Sequence, residues 1–296
     1  MEEDNRFFPE KFKMNRTSTA FAPANISCIF GICPDENPRW AGSLGVGFTL
    51  NEGVVSTALE SLKNEVIFNG EKITFPTVSA ALAKLTGKKI SIRLVSKLPL
   101  GCGFGLSGAS ALASSYAVNE LLKLKKTKKE LAIISHISEV ENKTGLGDVV
   151  NQFYGGFLLK LKPSSYFAVK RLPIDGVDVY CRHFSAIETG SVISNHKLKE
   201  SINKSAAIGL KKIKTLLNRK EGEKTPIKLG SIIKISREFA LNSLLLKDCR
   251  VMDTIESIEK KNGNASMIML GNAVFSDINF KGADRFIISE KGAFCF

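Results

Sequence analysis

Residues 99–108, Pro-Leu-Gly-Cys-Gly-Phe-Gly-Leu-Ser-Gly, hold four glycines in ten positions, and this run restricts the fold more than any other. Upstream, Lys89–Leu98 alternates, with Ile90, Ile92 and Leu94 on one face, which is the period of a half-buried strand. Downstream, Ala109–Leu124 has helical spacing and strong helix formers. The unit is strand, glycine turn, helix. Glycine is needed where a backbone turns sharply or presses on a ligand with no side chain between them. The helix start that follows offers unpaired N–H groups and the positive end of the helix dipole, which together favour phosphate. Ser107, at the mouth of that helix, carries a hydroxyl suited to a magnesium ion or a phosphate oxygen. A plainer reading stands beside this one: a turn that only lets strand and helix pack closely.

Two other phosphate loops are tested by the same residues. A Walker A loop needs Gly-Lys-Ser/Thr, and no lysine lies between Lys97 and Lys123. The dinucleotide pattern G-x-G-x-x-G is met at Gly103, Gly105 and Gly108. That pattern expects a following strand that ends in an acid about 20 residues on. A second helix follows here instead, opened by a capping box of Thr127 and Glu130 and running to about Glu141.

Elsewhere the chain reads as α+β. Residues 1–19 are polar and non-periodic, an expected frayed extension. Ala20–Ala58 suggests strands joined by tight turns, and 64–75 a hairpin about Asn69-Gly70. A short helix is expected over Thr77–Leu85 after Pro76. Residues 145–156 read as a glycine-containing loop before a strand Phe-Leu-Leu-Lys-Leu, and 169–174 and 177–184 as strands paired with each other. Helices are expected over 196–217, 229–246 and 251–261, then the apolar segment 266–275 and a short strand 286–289. The change from strand-rich to helix-rich near residue 185 marks the expected boundary, which divides the chain into 1–19, 20–185 and 186–296.

A hydrophobic fraction of 44% with 24% charged residues belongs to a globular chain. No apolar run approaches the roughly 20 residues of a membrane span, and the acidic N-terminus lacks a signal-peptide core. A cytoplasmic protein without a membrane partner is expected. The six scattered cysteines form no C-x-x-C pair and read as free, mostly buried thiols. The net charge of +13 fits phosphate ligands, an acidic membrane surface or nucleic acid. Its densest cluster, Lys123, Lys125, Lys126, Lys128 and Lys129, has no interleaved aromatics, so a single-strand stacking platform and a nucleic-acid partner are not expected. His136 reads as packed or superficial, not as a ligand.

Pro99, Gly103, Gly105, Ser107 and the small residues after them resemble the second motif of the GHMP kinases, P-x-x-x-G-L-G-S-S-A. Phe104, Leu106 and Gly108 depart from it. Within that superfamily the chain is similar to the archaeal pantoate kinase family over the stretches near residues 21, 38, 98, 137 and 267, which span most of it. The resemblance implies a two-domain α+β fold, with an N-terminal domain like domain 2 of ribosomal protein S5 and a ferredoxin-like C-terminal domain. It implies ATP and Mg²⁺ as cofactors, pantoate as acceptor and 4-phosphopantoate as product, in coenzyme A biosynthesis, and it is compatible with a homodimer.

Position by position, it places Pro99, Gly101, Gly103, Phe104, Gly105, Leu106, Ser107, Gly108 and Ala109 on ATP, with Ser107 and Glu139 on the metal and Glu141 as a rival. Asp148 matches the catalytic base, while Asn25 stands where these kinases often carry His. The third motif reduces to Gly271-Asn272. A carboxylate acceptor calls for a cation or clustered donors, and Ser27, Arg39 and Ser43 lie where the acceptor would bind. Read without the resemblance, Asp148 is a loop residue after Gly147, Glu139 a solvated helix face and Arg39 a surface neighbour of Trp40. Other readings also stand: a kinase of homoserine or mevalonate, a basic RNA-binding module, and a nicotinamide-dependent oxidoreductase.

Overall fold

The computed structural model describes residues 16–174, 176–217 and 227–296. Residues 1–15 of the expected extension lie outside these, while Thr17–Thr19 already belong to a strand. Two long strands, β1 (Thr17–Cys33) and β2 (Gly42–Glu60), form an antiparallel ribbon from Thr17↔Leu59 to Cys33↔Gly42. β3 (Glu65–Phe68) and β4 (Glu71–Ile73) are the expected hairpin, with Asn69 (φ 49°) and Gly70 (φ 89°) taking the positive φ values of a two-residue turn. Pro76 opens α1 (Pro76–Leu85), where its missing N–H costs nothing. β5 (Ile90–Val95) buries Ile90, Ile92 and Leu94 as the alternation requires.

α2 (Leu106–Leu122) begins three residues earlier than helical spacing predicts, because its first turn is built from Leu106, Ser107 and Gly108. α3 (Lys128–Glu141) has its capping box complete in both directions. The loop expected over 145–156 contains a helix, α4 (Asp148–Tyr154). Its seven residues are too few to show a period, and flanking glycines with paired valines disguise it. β6 (Phe157–Lys160) and β7 (Lys170–Leu172) pair with each other. β8 (Asp178–Ser185) pairs elsewhere, which corrects the expected pairing of 169–174 with 177–184. Then come α5 (Thr189–Ser194), α6 (His196–Leu217), α7 (Leu229–Asn242) and α8 (Cys249–Glu259). α7 stops short of Leu246 because Leu244 turns left-handed (φ 61°). β9 (Ala265–Met267), β10 (Asn272–Ser276), β11 (Asp284–Ile287) and β12 (Phe294–Cys295) close the chain.

The larger sheet runs β12-β1-β2-β5-β3-β4, with β6 and β7 continuing from the other half of β2; the smaller runs β11-β8-β10-β9. This is the mixed helix and sheet fold anticipated. β1 is buried almost continuously from Ala22 to Ile32, which requires cover on both faces: α2 packs on it, and α6 and α7 pack on it as well. Phe30 meets Phe239 edge-on at 5.7 Å, and Ser236 Oγ donates to the Cys28 carbonyl, fastening α7 to β1. All six cysteines are free, as read from the sequence. Among the described residues no helix is long and apolar enough to cross a membrane.

Candidate active site

The glycine turn leaves β5 and enters α2, and three elements hold its carbonyls. Gly101 O accepts from the Ile187 N–H and Phe104 O from the Asn25 N–H, both at 2.9 Å. Gly105 O accepts from Gln152 Nε2 at 2.7 Å. Gly103 (φ 86°) and Gly105 (φ 64°) are left-handed, a conformation that a side chain disfavours. A Cβ on Gly103 would lie 2.7 Å from Ile268 Cγ2 and 2.9 Å from Met269 O, on the hairpin before Gly271. The turn therefore holds a fixed shape against the smaller sheet. Its outlet is the first turn of α2, where the N–H groups of Leu106, Ser107 and Gly108 have no carbonyl one turn behind them in the helix.

One cleft is lined by Ser27, Ser43, Gly101, Gly103, Phe104, Gly105, Leu106, Ser107 and Asp148 among the residues the sequence singled out. Pro99 lies just upstream, and Gly108 and Ala109 are buried within α2 behind the lining. Arg39 is not brought in. It is exposed on the β1–β2 connection, its guanidinium 5.4 Å from the Trp40 ring. Gly271 presses on the Cys102 carbonyl, so this pair supports the turn. Ser107 Oγ donates to Thr77 Oγ1 at 3.0 Å, and Thr77 Oγ1 lies 2.9 Å from Thr144 Oγ1, a hydroxyl chain along one wall.

Asp148 opens α4 across the cleft. Its Oδ1 accepts from Asn25 Nδ2 at 2.6 Å and from Ser27 Oγ at 3.4 Å. The β1 register shifts on either side of this pair, between Pro23 and Asn25 and between Ser27 and Ile29. Such bulges re-aim side chains beside functional sites. Burial raises the Asp148 carboxyl above its usual range, opposed by Lys160 and the bonds from Asn25 and Ser27.

Glu139 is fully buried against Gly108 and Gly145. Neither carboxylate oxygen has a hydrogen-bond partner. Burial, then the neighbouring Asp148, raises it well above the usual carboxylate range; the Val149 N–H, which approaches without the geometry of a full hydrogen bond, and Lys160 offset this only in part. Glu141, its rival, is half-exposed and paired with Lys84 at 2.7 Å.

Lys160 was not anticipated. It ends β6, is 4% exposed, and donates from Nζ to Gly147 O at 2.8 Å. Burial pulls its pKa down to about 8, resisted by Asp148, Glu139 and Cys33. The signal was available: one lysine inside the apolar run Phe-Leu-Leu-Lys-Leu. His136 is buried with Nε2 3.0 Å from Ala41 O, and burial lowers it to about 4, so it is neutral at pH 7 and packed as expected. Thr77, Thr144, Asn151 and Gln152 were also missed; each acts through the tertiary fold, and nothing local marks it.

An amide-lined helix start faces a carboxylate across a cleft, with hydroxyls on the wall and a buried cation behind, an arrangement suited to phosphoryl transfer from a nucleotide. Residues 74–156 match the family model described as "GHMP kinases N terminal domain". The chain is 33% identical over 261 residues to the pantoate kinase of Methanocaldococcus jannaschii, an alignment covering 86% of this chain and 90% of that one. It is 32% identical over 267 residues to the pantoate kinase of Methanospirillum hungatei, covering 87% and 86%. A solved structure described as a phosphotransferase related to the CoA biosynthesis pathway superposes with a TM-score of 0.81 at 23% identity, covering 95% of this chain and 99% of that one. The mevalonate-3-kinase of Thermoplasma acidophilum superposes at 0.63 with 12% identity, covering 96% and 99%. The chain belongs to the pantoate kinase family of the GHMP kinases, and it is an ATP-dependent small-molecule kinase.

Proposed function

We propose that this chain transfers the γ-phosphoryl group of ATP to the 4-hydroxyl of pantoate, giving 4-phosphopantoate and ADP. The observation that carries the reading is Asp148, held by Asn25 and Ser27 in the same cleft as the glycine turn and the open end of α2. Phosphoryl transfer needs in-line positioning, neutralised charge and a group to take the acceptor's proton. The turn from Gly101 to Ala109 presents its amides to the triphosphate. An adjoining hollow shares Gly101, Ser107, Thr144 and Thr189 with the cleft, and its apolar walls, Ile73, Phe75, Leu100 and Ile187, suit a purine ring. Asp148 accepts the hydroxyl proton; hydrogen-bond reach matters more for this than an unusual pKa.

The residues fit a magnesium ion. Glu139 is a buried carboxylate with both oxygens unpartnered beside the first turn of α2, whereas Glu141 is already neutralised by Lys84 and turned outward. Glu139 and Ser107 would hold the ion, which supplies charge neutralisation on the phosphate oxygens when bound. For the acceptor's carboxylate the favoured anchor is Lys160, with Ser27 and Ser43 as nearby hydroxyls. Arg39 lies outside the cleft, while Lys160 is bonded to the carbonyl of Gly147, a residue of the lining. The separation of two sheets supports a two-domain division, but β8 (Asp178–Ser185) pairs within the smaller sheet, so the division falls ahead of β8 and not at residue 185, and β12 returns to the larger sheet.

The test is ADP release with pantoate, homoserine, mevalonate and glycerate, for the wild type and Asp148→Asn. Turnover is expected on pantoate alone, with a loss of at least roughly a hundredfold in the variant. Background rates with pantoate would reject the acceptor. A fully active variant would reject Asp148 as base.

A further inference from the structure

Asp148, Asn151 and Gln152 stand at positions i, i+3 and i+4 of α4 and share one side of it. Asn151 and Gln152 are 1% and 0% exposed, and neither lines the cleft. Gln152 reaches the glycine turn through its 2.7 Å bond to Gly105 O. Asn151 reaches in another direction. Its Nδ2 donates to Asn25 Oδ1 at 2.7 Å, and Asn25 Nδ2 donates in turn to Asp148 Oδ1 at 2.6 Å. The direction of this relay follows from its end: a carboxylate only accepts, so Asn25 must present its NH₂ to Asp148. The oxygen of Asn25 then needs a donor, and Asn151 supplies it. Asn151 Oδ1 has no partner of its own, so the bond to Asn25 is what the amide is there to make. Gly47 leaves the room, since a Cβ there would lie 2.9 Å from Asn151 Nδ2.

We propose that Asn151 is a positioning residue for phosphoryl transfer. It locks the Asn25 amide so that its NH₂ grips one oxygen of Asp148, leaving the other oxygen aimed at the acceptor hydroxyl. Without Asn151 the buried Asn25 oxygen has no donor, so the amide is no longer held from behind and its grip on Asp148 loosens. The inference rests on Asp148 being the base.

The test is a double-mutant cycle on kcat with Asn151→Leu and Asp148→Asn, in the full chain with pantoate and ATP. Asn151→Leu alone is expected to lower kcat roughly tenfold or more, the scale of the charged Asn25–Asp148 hydrogen bond that it holds in place, with KM for ATP nearly unchanged. In the Asp148→Asn chain the same substitution should cost nothing further, because the base it positions is gone. Gln152→Leu, its neighbour, should instead raise KM for ATP. Wild-type kcat in Asn151→Leu, or an equal loss in both backgrounds, overturns the proposal while leaving Asp148 as base. Wild-type kcat in Asp148→Asn overturns both. If Asn151→Leu does not fold, Asn151→Ala is read in the same cycle by the same criteria.

Discussion

Lys160→Met removes a buried ammonium while keeping a chain of similar length, and the consequence depends on pH. In the folded chain Lys160 loses its proton near pH 8, against a usual value of 10.5, because burial penalises the charge. Between these values the unfolded chain holds a proton that the folded one has released, so stability rises with pH across the window and the gain is absent below it. The full difference is worth roughly 3 kcal/mol, of which about 2 kcal/mol falls between pH 7 and 9.5. Other buried groups add their own pH dependence over the same range: burial keeps the Cys28 and Cys181 thiols protonated in the folded chain while the unfolded chain's thiols ionise, which lowers stability as pH rises. The informative quantity is therefore the difference in unfolding free energy between wild type and Lys160→Met, from urea titrations at pH 7, 8, 9 and 9.5. The wild type is expected to gain about 2 kcal/mol relative to the variant over that range. A difference that stays flat within about 0.5 kcal/mol would refute the claim that this lysine is held in a low-dielectric site, and with it the case for a buried cation behind the cleft.

Glu139→Gln should raise the magnesium concentration needed for half-maximal rate by at least roughly tenfold, while Glu141→Gln, which loses only its pairing with Lys84, should leave it unchanged. Titration of both variants with Mg²⁺ or Mn²⁺ distinguishes them, and the reverse result would move the metal to Glu141. Gly103→Ala adds a side chain at φ 86° that meets Ile268 and Met269, so the turn must shift. KM for ATP is expected to rise roughly tenfold, with a thermal midpoint only a few degrees lower, the scale of about 1–2 kcal/mol of backbone strain.

Much of this fold was legible because its signals are local. Asn69-Gly70 needs no tertiary partner to turn, Thr127 and Glu130 cap each other three residues apart, and β5 shows its buried face by alternation. The glycine turn was legible for the same reason, and Ser107 and Asp148 do face one cleft. What escaped was set by contacts far apart in sequence. α4 is too short for a period and is held by packing; β7 and β8 look alike along the chain but join different sheets. Arg39 was the plausible cation by position in its motif, yet the β1–β2 connection carries it to the surface, and Lys160 stands in the interior instead. Asn25, placed in doubt by its departure from the family's usual histidine, turns out to hold Asp148 directly.

The most direct measurement is a crystal structure with a non-hydrolysable ATP analogue, magnesium and pantoate bound. Triphosphate density against the amides of residues 101–109, with the acceptor hydroxyl between the terminal phosphate and Asp148, is the predicted result. A triphosphate bound elsewhere, or an acceptor out of hydrogen-bond reach of Asp148, would contradict the account.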